Sequence, residues 1–221
     1  MISIIMPTCN RRTFIPLAIE AIRMQDYKDW ELLIVDGGES VRSVIPKDER
    51  IFYEYMPGRV DRFNWGIAHA HGDIFMLQAD DDEMLPGALS EIESAMAFNE
   101  WGYGSVLVNQ NPYGVPSVLG VLKWDYARLK RENFIPLPGA FWSREAYRWA
   151  GGFDMSVPRA SDWDYWIRLG ARWNPVHVQR PLVAYNVHQA QDSVVNHRSV
   201  LADAAKVRAR VSAGFYDKLA A

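Results

Sequence analysis

Short apolar runs alternate with longer amphipathic stretches through the first hundred residues. Ile2–Met6 is apolar almost throughout and is stopped by Pro7, the pattern of a buried strand. Thr13 is placed to cap a helix running to about Met24, with Phe14, Leu17, Ala18, Ala21 and Met24 on one face. Pro16 falls in its first turn, where a missing N–H costs little. Glu31–Val35 reads as a second strand, ended by Asp36-Gly37-Gly38, and Ile51–Tyr55 as a third. Asp61–His71 reads as a helix, Phe75–Gln78 as a fourth strand, and Pro86 to about Phe98 as a further helix. Strands alternating with helices predict an α/β fold with a mainly parallel, doubly wound sheet.

The second half is less regular. Gly104–Asn109 has strand character and is followed by a Pro/Gly/Asn loop through Pro116. Arg144–Trp149 and Ser161–Ala171 are helical in pattern, separated by Gly151-Gly152, and Val176–Val178 and Leu182–Val187 read as late strands. The tail from about Arg198 to Leu219 is expected as one helix, with Val200, Leu201, Ala204, Val207, Val211 and Phe215 as its apolar stripe. It is expected to be dispensable for chemistry, packing on its own domain, pairing with another subunit or resting on an anionic membrane. With no repeat or linker, residues 1–221 form a single domain: a ligand-binding half (2–110), a second half (111–190) and a C-terminal helix (197–221).

Composition narrows the function classes. The 221 residues are 49% apolar and 23% charged, ordinary for a globular protein. A net charge of -3 and a pI near 6.0 argue against an electrostatically driven nucleic-acid binder. Cys9 is the only cysteine, which excludes intrachain disulfides and a Cys-rich zinc site and fits a reducing cytoplasm. No stretch approaches the roughly 18–20 consecutive apolar residues of a membrane span. The apolar start, Met1 to Met6, is too short for an export signal and lacks a basic start and cleavage site.

The densest chemistry is Asp80-Asp81-Asp82, directly after the apolar run Ile74–Leu77. Open α/β sheets bind ligands at the C-terminal ends of their strands. Carboxylates this close repel one another and are costly unless solvated or neutralised by a cation. A solvated acidic turn capping the helix near Pro86 is the alternative.

Several motifs in order resemble the family 2 glycosyltransferases, inverting enzymes that use nucleotide-diphosphate sugars and whose GT-A fold implies a Rossmann-like, mainly parallel mixed sheet flanked by helices. They are Ile4-Ile5-Met6-Pro7-Thr8-Cys9-Asn10-Arg11, Leu33-Ile34-Val35-Asp36-Gly37-Gly38, Asp61-Arg62-Phe63-Asn64-Trp65-Gly66-Ile67-Ala68, Gln78-Ala79-Asp80-Asp81 and Leu85-Pro86-Gly87-Ala88-Leu89. Later come Phe141-Trp142-Ser143-Arg144-Glu145, Gly151-Gly152-Phe153-Asp154 and Ser161-Asp162-Trp163-Asp164-Tyr165-Trp166. The resemblance covers roughly residues 2–190. It implies base recognition by Asp36, with Pro7 and Thr8 in the same slot and Asn10, Arg11 and Asn64 near the nucleotide. It also implies an Asp-x-Asp metal motif for Mn2+ or Mg2+. Alignment from Gln78-Ala79 selects Asp81 as the metal ligand, whereas Asp80-Asp81-Asp82 read as D-x-D selects Asp82. Asp80 is then the ribose partner.

By the same resemblance Asp162 is the general base that deprotonates the acceptor hydroxyl, with Asp164 as its competitor. The family often carries Glu where this chain has Ser161, and Arg where it has Asn186. His188 matches a late histidine near the diphosphate or metal, while Arg168 reads as structural, pairing with a strand-end acid. Trp142, Trp163 and Tyr165 are candidates for sugar stacking, with core packing as the default. The implied partners are a nucleotide-diphosphate sugar donor and a glycan, lipid-linked or other hydroxyl acceptor, in surface polysaccharide or glycan synthesis. The expected setting is the cytoplasm, including the inner face of the membrane, and self-association is open. Two other readings remain. A nucleotidyltransferase should show an early Gly-rich phosphate loop, which Thr8–Thr13 lacks. A non-catalytic nucleotide- or carbohydrate-binding module would need neither Asp162 nor the acidic run.

Overall fold

The computed structural model describes residues 1–58, 61–109, 117–119, 122–188 and 195–219. The expected Pro/Gly/Asn loop through Pro116 lies outside them. Among the described residues nine strands share one sheet: β1 (Ile2–Thr8), β2 (Trp30–Asp36), β3 (Ile51–Tyr55), β4 (Ile74–Leu77), β5 (Glu83–Met84), β6 (Trp101–Asn109), β7 (Ser117–Leu119), β8 (Ala140–Ser143) and β9 (Val176–Asn186). The order across it is β3-β2-β1-β4-β8-β6-β9-β5, with β7 paired to β6. The first four neighbours run parallel. Strand β8 enters antiparallel between β4 and β6, β9 runs parallel to β6, and β5 is antiparallel to β9. The α/β architecture is as expected, with antiparallel insertions that the sequence pattern does not announce.

Alternate residues of β1 and β4 enter different cores, because successive strand side chains point to opposite faces. Ile5, Phe75 and Leu77 pack with helices α2 (Arg62–His69), α5 (Arg144–Ala150) and α6 (Ser161–Gly170). Ile2, Ile4, Met6 and Met76 pack with α1 (Ile15–Arg23) and α3 (Ala88–Met96). Trp142, Trp163 and Tyr165 are buried in the first core, and Trp142 meets Tyr165 edge-on at 5.4 Å. No face of these rings is free for a sugar.

Helix α1 differs from expectation in start and in face. Thr13 makes no cap, and the buried stripe is Ile15, Ala18, Ile19 and Ile22. Leu17 and Met24 are 62% and 73% exposed. Both faces keep i, i+3, i+4, i+7 spacing; the one that is buried carries three isoleucines, whereas the expected one carries two alanines and ends at the exposed Met24. Strands β5 and β7 and the single turn α4 (Tyr126–Leu129) are too short to leave a periodic signature, and β8 runs straight into α5 with no breaker between them. Strand β9 joins two expected strands across Pro181, and register shifts opposite Gly104–Val106 absorb the interruption.

The tail forms α7 (His197–Ser212), then Gly214 at φ 65 and a 3-10 turn over Tyr216–Leu219, not one continuous helix. A left-handed glycine ends a helix at no Cβ cost. Val207 and Tyr216 are buried against the first core, while Leu201 and Phe215 of the expected stripe are largely exposed. Charged pairs complete the docking. Asp203 accepts the Arg159 N–H at 3.1 Å, Arg210 pairs with Asp154 at 2.9 Å and Asp164 at 3.0 Å, and Lys130 pairs with Asp217 at 3.1 Å. Among the described residues, no helix is long and apolar enough to cross a membrane.

Candidate active site

Parallel pairing brings the C-terminal ends of β1, β2 and β4 to one edge of the sheet, with Thr8 opposite Asp36. On the far side of β4 its neighbour is antiparallel β8, so the edge lies where strand direction changes. After Leu77 the chain turns. The buried Gln78 amide donates to the carbonyls of Ala79 and Asp82, and β5 then hooks onto β9. The acidic run is thereby wedged between the ends of β1 and β9.

Each aspartate has a different environment. Asp80 is nearly buried and its Oδ2 accepts the Thr8 hydroxyl at 2.6 Å. Burial, reinforced by the Asp81 charge, pushes its pKa up to about 6 against the opposing pull of Thr8 and Arg11. Asp81 points to His188, Oδ2 to Nε2 at 2.9 Å, and the His188 ring stacks on Phe14 with centroids 4.8 Å apart. Asp82 exposes no surface. Its Oδ1 accepts the Asn186 N–H at 3.0 Å, and its Oδ2 is buried without a hydrogen-bond partner among the described residues. Burial and the neighbouring Asp81, Asp80 and Glu83 push its pKa up to about 7, against the pull of the Asn186 N–H. Asn186, standing where a cation was expected, also donates from its amide to the Asp81 carbonyl at 2.8 Å.

A cavity of about 480 Å3 opens over this edge, a size suited to a small-molecule ligand. Pro7, Arg11 and Gln78–Asp82 form one side, Val106, Leu119 and Pro136–Pro138 an apolar side, and Asp162 faces in from the first turn of α6. Desolvation raises the Asp162 pKa, although Oδ2 accepts the Asn133 amide at 3.0 Å. A carboxylate kept basic beside an acidic, cation-seeking edge can accept a proton from a bound hydroxyl.

Pro7, Asp80, Asp81, Asp82 and Asp162 therefore share one cavity, with Thr8 linked through Asp80 and His188 through Asp81. Three other candidates are turned to structural work. Asp36 is fully buried, with Oδ1 accepting the Gly38 N–H and Oδ2 the Val41 N–H and the Tyr53 hydroxyl. Asn10, at φ 58, accepts the Glu39 N–H at 2.8 Å. Asn64 bonds both ways to the backbone of Phe153, each at 2.8 Å, latching α2 to the loop before α6. Asp164 is also committed. Oδ2 accepts Arg168 Nε at 2.9 Å, and Oδ1 accepts Arg210 at 3.0 Å and the Tyr216 hydroxyl at 2.6 Å. Arg168 is structural, but its acid lies on its own helix rather than at a strand end, and it also donates to the carbonyls of Ala150 and Gly152. Asn133 escaped sequence reasoning, since it sits in no periodic pattern or motif, and Phe14 was read only as part of the first helix's apolar face, not as a partner of His188.

Among the described residues, no group of three or more His, Cys, Asp or Glu side chains converges as a complete metal cage. The partial set is Asp81 with His188, and the unpartnered Asp82 oxygen lies beneath. Carboxylate oxygen with one imidazole suits a hard divalent cation that draws its remaining ligands from phosphate oxygens and water, so the residues fit Mn2+ or Mg2+.

This fold is that of the GT-A class. The chain belongs to glycosyl transferase family 2, whose profile matches residues 3–138, more than half of its length. A Campylobacter jejuni protein named GalNAc(5)-diNAcBac-PP-undecaprenol beta-1,3-glucosyltransferase is 36% identical over 118 residues, 49% of this chain and 37% of that protein. The putative colanic acid biosynthesis glycosyl transferase WcaA of Escherichia coli is 28% identical over 190 residues, 76% of this chain and 66% of its own. The chain thus spans from about a third to two thirds of these relatives. Among solved structures, S. aureus TarS 1-349 in complex with UDP superimposes with a TM-score of 0.62 at 14% identity, covering 91% of this chain and 64% of that one. The mannosyltransferase PcManGT from Pyrobaculum calidifontis, in complex with GDP-Man and Mn2+, gives 0.62 at 18% identity, covering 89% and 59%. At such identities the likeness speaks for the fold.

Proposed function

We propose that the protein transfers a sugar from a nucleotide-diphosphate donor to an acceptor hydroxyl by a single inverting displacement. The observation that carries this reading is one cavity with a diphosphate-compatible acidic edge on one side and a desolvated carboxylate, Asp162, on the other. The donor lies along the edge of β1 and β4, its ribose toward Asp80 and its base toward Pro7 and the loop that Asp36 braces. Asp162 accepts the acceptor proton as the hydroxyl oxygen bonds to the anomeric carbon. The anomeric carbon–oxygen bond to the diphosphate breaks, and the nucleoside diphosphate leaves. The Asn133 amide donates to one Asp162 oxygen and helps to hold the carboxylate in place.

Asp81 and His188 would hold the divalent cation, and when bound it offsets charge on the leaving diphosphate. Arg11 adds positive charge on the same side of the cavity. The family names of the relatives support a lipid-linked or polysaccharide acceptor, with the reaction on the cytoplasmic side where nucleotide sugars are made. A thermal-shift panel of nucleoside diphosphates and nucleotide sugars, with and without Mn2+, tests the donor. A cation-dependent rise in Tm with one base is expected. No rise with any of them, or a product of retained anomeric configuration by NMR, overturns the reading.

A further inference from the structure

We propose that the C-terminal segment His197–Leu219 is a positioning clamp that sets the place of Asp162, with Tyr216 and Arg210 as its positioning residues. The proposal rests on Asp162 as the base and adds what holds it there. The family profile ends at residue 138, so neither α6 nor this segment is covered by that match.

Three structural arms fix Asp162, and the segment touches all of them. The first is the loop leading into α6. Arg210 pairs with Asp154 at 2.9 Å and donates to the Ser156 hydroxyl at 2.9 Å, Asp203 accepts the Arg159 N–H, and Lys206 donates to the Ser156 carbonyl at 3.3 Å. The second is the first turn of α6 itself. Two residues beyond Asp162, buried Asp164 receives the Tyr216 hydroxyl and the Arg210 guanidinium on one oxygen. The third is α4, which leads to Asn133, the amide donor to Asp162. Asp217 pairs with Lys130 at the end of α4, and Arg208 lies 5.2 Å over the ring of Trp163, whose indole N–H donates to the Leu129 carbonyl at 2.6 Å. Asp162 and its amide partner come from separate elements, 29 positions apart, and the segment spans both.

Among the described residues, groups within reach of Asp162 are few. The Trp163 backbone N–H and the Asn133 amide favour its ionised form, Asp80, Asp81, Asp82 and Arg11 face the same cavity, and on its own helix Asp164 is occupied by Arg168, Arg210 and Tyr216. Loosening the clamp therefore acts on Asp162 through the Trp163 N–H at the start of α6 and the Asn133 bond, both of which favour the ionised carboxylate.

The test is 13C NMR titration of the Asp162 carboxyl, assigned with Asp162→Asn, in the full chain without ligand. Tyr216→Phe keeps the buried ring and removes only the hydroxyl; Arg210→Met removes the charge. The Asp162 midpoint is expected to rise by roughly half a pH unit or more in each variant, as the favourable bond to the ionised form weakens. Where a transferable donor is found, kcat should fall about tenfold with nucleoside diphosphate Kd unchanged, since positioning acts in the transition state. Arg210→Lys should recover part of the loss. Ile92→Val, in the opposite core, should lower Tm with no change of midpoint. An unchanged midpoint in both Tyr216→Phe and Arg210→Met, even with lower Tm, overturns the clamp. Failure of every nucleotide sugar as donor would overturn the proposed reaction instead, while the ligand-free titration would still decide the clamp.

Discussion

Asp82→Asn should make the protein more resistant to rising pH. In the folded chain the Asp82 carboxyl titrates at about 7, held there by burial and by the charges of Asp81, Asp80 and Glu83. A free aspartate titrates at roughly 3.9, and at about 1.4 kcal/mol per pH unit the gap spans ~4 kcal/mol. Because the folded-state value is the higher one, the native protein holds a proton that the unfolded chain has released. The associated stability is fully present below about pH 4 and is lost as pH rises towards 7. Asn cannot ionise, so this loss disappears in the variant. Its amide N–H2 occupies the place of an oxygen that already lacks a partner, at a cost on the order of 1–3 kcal/mol. That cost is the same at every pH and cancels when two pH values are compared. Urea denaturation at pH 4 and pH 8 should give a wild-type stability that falls by ~4 kcal/mol more than that of Asp82→Asn. For a chain of this size the gap amounts to about 10 °C in Tm. Parallel pH curves for the two proteins would refute the buried, proton-holding carboxyl.

Asp162→Asn should lower turnover by roughly 10²–10⁴-fold, the usual range for loss of a general base, with nucleoside diphosphate affinity by calorimetry nearly unchanged. His188→Ala should weaken Mn2+-dependent diphosphate binding and leave cation-free binding alone; equal loss in EDTA would remove His188 from the cation. Asn64→Ala breaks both bonds to Phe153 and should cost about 2–3 kcal/mol in urea denaturation. A large loss of diphosphate affinity without that destabilisation would return Asn64 to the nucleotide.

Strands β1 to β4 were legible because each is an apolar run closed by a breaker, and the alternation with helices follows from them. β8 was not, since Ala140–Ser143 runs straight into the helix that starts at Arg144 with no breaker between them, and it owes its place to the partners β4 and β6. The positions of Asp80, Asp81 and Asp162 followed from strand-end and helix-start placement together with motif order. The commitments of the polar residues did not. Asp36, Asn64 and Asp164 look like site residues by type and neighbourhood, yet their carboxylates and amide are taken by Val41, Phe153 and Tyr216, contacts set by tertiary approach alone. Asp162 and Asp164 sit two positions apart on one helix, which turns them about 200° from each other, one to the cavity and one to the tail.

The interleaving of the sheet limits how the chain can change. β8, from beyond residue 138, lies between β4 and β6, and β9 separates β6 from β5, which follows directly on the acidic run. A cut between a donor half and an acceptor half would take β8 from β4 and β9 from β5 and leave Asp81 and Asp82 without His188 and Asn186. Exchange of whole halves between related chains is thus closed to this scaffold as a route to new specificity. Variation is channelled instead into segments that cross no strand pairing, such as the Pro136–Pro138 rim of the cavity, where residues can be replaced without rewiring the sheet.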